Sequence, residues 1–116
     1  MQKLHEACKL LNDVLQAEIV DLELSTAIYQ LRLTFTTGAQ LFIRYNEFEE
    51  YGYQLIISKK KYDTLRFDNF DDRWPVSSKP HYFHPKENKP VRESPMVGSP
   101  SRDMPKLITL ILDEIY

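Results

Sequence analysis

Two short stretches hold most of the residues whose types and spacing can do chemistry. They are Arg66-Phe67-Asp68-Asn69 and, a little further on, Lys79-Pro80-His81-Tyr82-Phe83-His84. In an extended chain Arg66 and Asp68 leave the backbone on one side, and Leu65 and Phe67 on the other. The apolar pair must face the core, so a guanidinium and a carboxylate emerge together at a strand end. Guanidinium forks match phosphate and carboxylate oxygens. Histidine titrates near neutral pH, which suits it to proton transfer. His81 and His84 are therefore the candidate proton-transfer groups. Arg66 would hold phosphate beside them, and Asp68 and Asn69 would orient the loop. The loop starts where the strand ends, so both histidines are expected near Asp68. The plain alternative is that Arg66 pairs with Asp68 and Arg44 with Glu47 on a solvated face, while the histidines make ordinary loop hydrogen bonds.

Other chemistries find less support. His81 and His84 are three apart, which aligns side chains only on a helix, and Pro80 and Pro85 forbid one there. A metal site would need further ligands such as Asp68 or Asp71, which the spacing does not specify, so no metal and no cofactor is assigned. The three glycines, at 38, 52 and 98, form no phosphate-cradling loop. Cys8 falls on the apolar stripe of a helix and reads as a buried, inert thiol rather than a nucleophile. Charge is uneven along the chain. Residues 1–53 carry a net −4, residues 54–92 a net +4 and residues 93–116 a net −2. The basic middle segment, which holds both loop histidines, can steer toward phosphate. A solvated lysine turn at Lys59-Lys60-Lys61 explains part of it without any ligand.

The elements that must position these groups follow from periodicity. At 116 residues the chain is one domain, spanning 1–116. Leu4, Ala7, Cys8, Leu11 and Leu15 recur at helical spacing and predict a helix over 2–16. Residues 18–69 alternate as five strands joined by short turns, which makes neighbours antiparallel. In the first, Val20, Leu22 and Leu24 share a face. In the second, Tyr29, Leu31, Leu33 and Phe35 point inward. Leu41, Ile43 and Tyr45 follow in the third, and Tyr51, Tyr53, Leu55 and Ile57 in the fourth. The outward face then carries Arg32, Phe42, Arg44, Gln54, Arg66 and Asp68, and three arginines on an open face suit an anion-binding surface. Between Trp74 and Pro105 the pattern stops. Prolines at 75, 80, 85, 90, 95, 100 and 105 predict a long Pro-rich loop over 74–102, ordered through Trp74, Tyr82 and Phe83 and free of helix or central strand. Asp103 caps a closing helix over 103–116, with Pro105 in its first turn. The expected fold is α+β and two-layered: an antiparallel five-strand meander packed on an N-terminal and a C-terminal helix.

This order of elements resembles a known family. Tyr29–Phe35, Thr37-Gly38, Tyr45, Tyr51–Tyr53, Arg66-Phe67-Asp68-Asn69, Pro80-His81, His84 and the Val91…Ser94-Pro95 run are similar to the TumE-type toxin components of prokaryotic toxin–antitoxin modules. The likeness covers nearly the whole chain. One departure is that the family follows Asp-Asn with a small residue, Pro and His, where this chain has Phe70-Asp71-Asp72-Arg73. One expected histidine is missing. The resemblance implies a toxin that acts on RNA or on translation and is neutralised by a small antitoxin protein.

Together these readings give a cytoplasmic domain that engages RNA through an arginine-bearing sheet face and a histidine loop. The N-terminal residues do not read as a signal peptide, and no run reaches the length of a membrane span. In the enzymatic form the chain is a metal-independent ribonuclease with His81, His84, Arg66 and Asp68 at the reacting centre. Arg44, Tyr45, Tyr53, Asn69 and Arg73 complete the binding set. Two other readings stay open: a non-catalytic protein-interaction module using the aromatic Pro-rich loop, and a small-ligand binder.

Overall fold

The computed structural model of the chain describes residues 1–70 and 74–116. Helix α1 spans Gln2–Leu15 and buries Leu4, Ala7, Leu11 and Leu15. Cys8 is half-buried at the edge of that stripe, and burial pushes its thiol up. Strands β1 (Ile19–Ser25), β2 (Gln30–Phe35), β3 (Gln40–Tyr45), β4 (Tyr51–Ile56) and β5 (Thr64–Asp68) follow. Next come β6 (Tyr82–His84), a short 3-10 turn at Lys86–Asn88, β7 (Arg92–Glu93) and helix α2 (Pro100–Ile115). The seven strands lie side by side in chain order, each antiparallel to the next. Both helices cover one face, where the inward residues of β2 to β5 form a single core with Leu4, Leu11, Met104, Leu107 and Ile111. The α+β, two-layer expectation holds. No helix among the described residues is long and apolar enough to cross a membrane.

The sheet has seven strands rather than five. The additional two come from the proline-rich segment, which was expected to hold no central strand; they are only three and two residues long, but β6 lies between β5 and β7. Proline withdraws only its own N–H from a ladder. Pro80 and Pro85 bracket β6, and Pro90 and Pro95 bracket β7, so each interval keeps the donors its short strand needs. The prolines, five residues apart, thus leave two strand-sized gaps. Phe83 faces inward and stacks on Phe67, with ring centres 4.6 Å apart, which holds β6 against β5.

Three smaller expectations also change. A bulge between Ile19 and Asp21 gives the inward place opposite Phe35 to Ile19, and leaves Val20 exposed. Tyr29 sits in a turn at positive φ (51°) and is exposed, so it is not an inward residue of β2. Helix α2 starts at Pro100 after an N-terminal Ser99, not at Asp103. Pro100 takes the first helical position, which needs no N–H. Pro105 consequently sits inside the helix, past its first turn.

Candidate functional site

Pairing carries the outward residues of successive strands into rows, because cross-strand partners share a face. One row crosses the open face through Glu23, Arg32, Phe42, Gln54, Arg66 and His84. Its neighbour crosses through Gln30, Arg44, Gly52, Asp68, Tyr82 and Glu93. The face therefore has the arginines that the alternation predicted, and β6 adds His84 beside Arg66.

The three arginines differ in what surrounds them. Arg32 is held by Glu23 at 2.9 Å and Asp21 at 3.5 Å, so its charge is answered at the sheet edge. Arg44 is exposed and forms no ion pair among the described residues, Glu47 included. Arg66 places Nε 2.7 Å from Asp68 Oδ2 while half of its side chain stays in solvent. Arg44 and Arg66 line the same hollow of about 370 Å³, with Phe42, Gln54 and Phe70. Gly52 gives Phe70 room to lie on the sheet: a Cβ at position 52 would meet the Phe70 ring at 3.1 Å.

Asp68 is buried on this otherwise open face. Trp74 stands edge-on to Tyr82 at 5.0 Å and to His84 at 5.2 Å, the two β6 residues on this face. His84 Nε2 lies 3.4 Å from Asp68 Oδ2, on the same oxygen that Arg66 meets. Burial raises the Asp68 carboxyl, but the His84 and Arg66 groups beside it outweigh that and hold it below the usual carboxylate range. The carboxylate thus faces one ring nitrogen of His84. His84 and Arg66 together line a second hollow of about 210 Å³, with Gln54, Tyr62, Thr64 and Asn88. Asp68, Arg66 and His84 are brought together as expected.

His81 is not part of that cluster. Its Nδ1 is 2.9 Å from the Tyr51 hydroxyl, and its ring stacks on Tyr51 at 5.8 Å. Tyr51 is an inward residue, so the two histidines divide between the two sides of the sheet. The odd separation, read along an extended chain, requires this.

Tyr45 and Tyr53, expected in the binding set, are buried on the helix side in phase with Ile43 and Leu55. Their hydroxyls bond to each other at 2.8 Å, and Tyr53 donates to Asp103 Oδ2 at 2.7 Å. Burial pushes both phenols up, and the Asp103 charge adds to it. Asp103, also buried, accepts the Val97 N–H at 3.0 Å and the Gly98 N–H at 2.7 Å as well. It is a buried hub where a helix cap was expected. Gly98 (φ 86°) lets the chain pass close to Tyr51, where a Cβ would come within 2.8 Å of the ring. Asn69 also has a structural task. Its Oδ1 accepts the Tyr51 N–H at 2.9 Å and its Nδ2 donates to the Glu49 carbonyl at 3.0 Å, tying the β3–β4 turn to the end of β5. Arg73, the remaining expected binding residue, lies outside the described residues, as does Asp71. No group of three or more His, Cys, Asp or Glu able to hold a metal ion occurs among the described residues.

Reasoning from sequence left Phe70 and Tyr62 out of the site and read Asp103 as a cap rather than a buried hub. Phe70 and Tyr62 were legible only as loop aromatics next to a strand rich in charge. Nothing in the sequence marked Asp103 as a hub, since a carboxylate at a helix start ordinarily caps it. No curated protein and no solved structure matches the chain. The family model described as toxin TumE matches residues 1–115, and a match over that length shows that the chain belongs to the TumE toxin family.

Proposed function

We propose that the chain is the toxin of a toxin–antitoxin module and that it acts on RNA through the open face of its sheet. The observation that carries this reading is the shared hollow of His84 and Arg66 with Asp68 buried behind them. The charge on Asp68 faces one nitrogen of His84, leaving the other to take the proton of a ribose 2′-hydroxyl as that oxygen attacks the adjacent phosphorus and to return it to the departing 5′-oxygen. Arg66, half in solvent, meets the adjacent phosphate and stabilises charge that develops on it. Arg44 holds a further phosphate along the same face. His81 bonds Tyr51 and has a structural role. Family membership supports a small antitoxin protein as partner.

Expression with and without a co-expressed antitoxin tests this reading. Wild-type chain alone should arrest growth with loss of bulk RNA, and Arg66→Ala should not. Growth arrest with intact RNA and unimpaired Arg66→Ala toxicity would move the activity elsewhere. The interaction-module alternative loses ground because Trp74, Tyr82 and Phe83 are all engaged within the fold.

A further inference from the structure

Two hollows on the open face and a third at its end, beside the β1–β2 and β3–β4 turns, share lining residues in series, with an arginine common to each adjoining pair. The first, about 180 Å³, is lined by Tyr29, Arg44 and Phe70 among others. The middle one, about 370 Å³, shares Arg44 and Phe70 with it and adds Phe42 and Arg66. The last, about 210 Å³, shares Arg66 and Gln54 with the middle one and adds Tyr62 and His84. Each hollow therefore contains an aromatic side chain, and cations separate them. Glu50, at the rim of the first, is held by Asn46 Nδ2 at 2.8 Å.

The two end aromatics share an unusual backbone. Tyr29 (φ 51°) and Tyr62 (φ 64°) occupy the left-handed region, which bulky residues rarely adopt and which Gly, Asn or Asp fill at less cost. Both are about half exposed, so core packing does not account for tyrosine there. The Tyr62 turn is pinned by the Glu87 N–H on the Tyr62 carbonyl at 2.8 Å, and Lys61 lies over its ring at 5.0 Å. Strain kept at an exposed aromatic points to a use for the ring itself.

Alternating rings and cations match a single strand, whose unstacked bases sit on aromatic faces and whose phosphates meet arginines. A duplex hides its base faces and offers the rings nothing. Resting on the RNA reading above, we infer that the groove from the β1–β2 turn to the β4–β5 turn is a single-stranded RNA track. Tyr29, Phe42, Phe70 and Tyr62 are its base platforms, and Arg44 and Arg66 its phosphate contacts. The scissile linkage lies at the Arg66 junction, next to His84.

The test is fluorescence anisotropy with a labelled 2′-O-methyl uridine oligomer, which resists cleavage through the 2′-hydroxyl, against an RNA duplex of equal length. The single strand should bind well above the duplex. Tyr62→Asn and Tyr29→Asn should keep or raise the melting temperature, since asparagine suits that backbone, yet weaken single-strand binding about tenfold. Arg44→Ala should lower the slope of log affinity against log salt by about 0.7. Equal affinity for duplex and single strand, or unchanged binding in both asparagine variants, overturns the track while leaving RNA as the target. Absence of binding to either RNA overturns the track together with the reading beneath it.

Discussion

At the residue scale, two carboxylates buried among the described residues, Asp68 on β5 and Asp103 on α2, have different surroundings. Asp68 faces the candidate site and answers Arg66 and His84. Its folded pKa lies below its unfolded one, so the stability it adds is present above the ordinary carboxylate pKa of about 3.9 and is lost as pH falls through the lower folded value. Asp68→Asn should therefore flatten the acid limb of a melting-temperature profile and cost about 1–3 kcal/mol at neutral pH. An unchanged acid limb would mean that the carboxylate is not charged in the fold. Asp103 faces the core and accepts three hydrogen bonds. Asp103→Ala strands two backbone donors and a phenol and should cost more than about 3 kcal/mol in urea unfolding. Its RNA affinity, measured below the transition, should match wild type, because the hydrogen-bond partners of Asp103, namely Tyr53, Val97 and Gly98, do not line the hollows of the open face. A stable Asp103→Ala protein would show that the loop at Val97–Gly98 has another anchor.

At the element scale, β6 decides whether there is a site at all, because it delivers His84 to Asp68. Amide exchange should find the Tyr82–His84 segment slower than the turn at Ser77–Lys79, since only the former joins the ladder. Equal exchange would remove β6 from the sheet and His84 from the cluster. This strand was illegible beforehand for a physical reason. Proline frequency is read as a ban on strands, whereas the ban applies to single N–H groups, and the Phe67–Phe83 stack that secures β6 is a tertiary contact. The alternation of β2 to β5 was legible because a one-residue slip would expose the whole row of Leu31, Leu33, Leu41 and Ile43. At the edge strand β1 that penalty is weak, and there the alternation misled at Val20.

At the scale of the whole molecule, the helices take one face of the sheet and leave the other open, where the proposed function places the site. The division was readable from strand parity, which placed Arg44, Arg66 and Asp68 outward together. Parity equally placed Tyr45 and Tyr53 inward, and they are core residues. For the histidines, a loop reading kept both near Asp68, while pairing into a sheet separates them by face. In the proposed function one histidine, His84, thus works with Arg66 and Asp68 on the open side. Single-turnover cleavage of an RNA substrate by purified wild type, His84→Ala and His81→Ala tests it most directly. His84→Ala should lower the rate by about 10²–10⁴-fold with the fold intact, while folded His81→Ala stays within about tenfold of wild type. A full-rate His84→Ala enzyme, or a dead but folded His81→Ala one, would contradict the account.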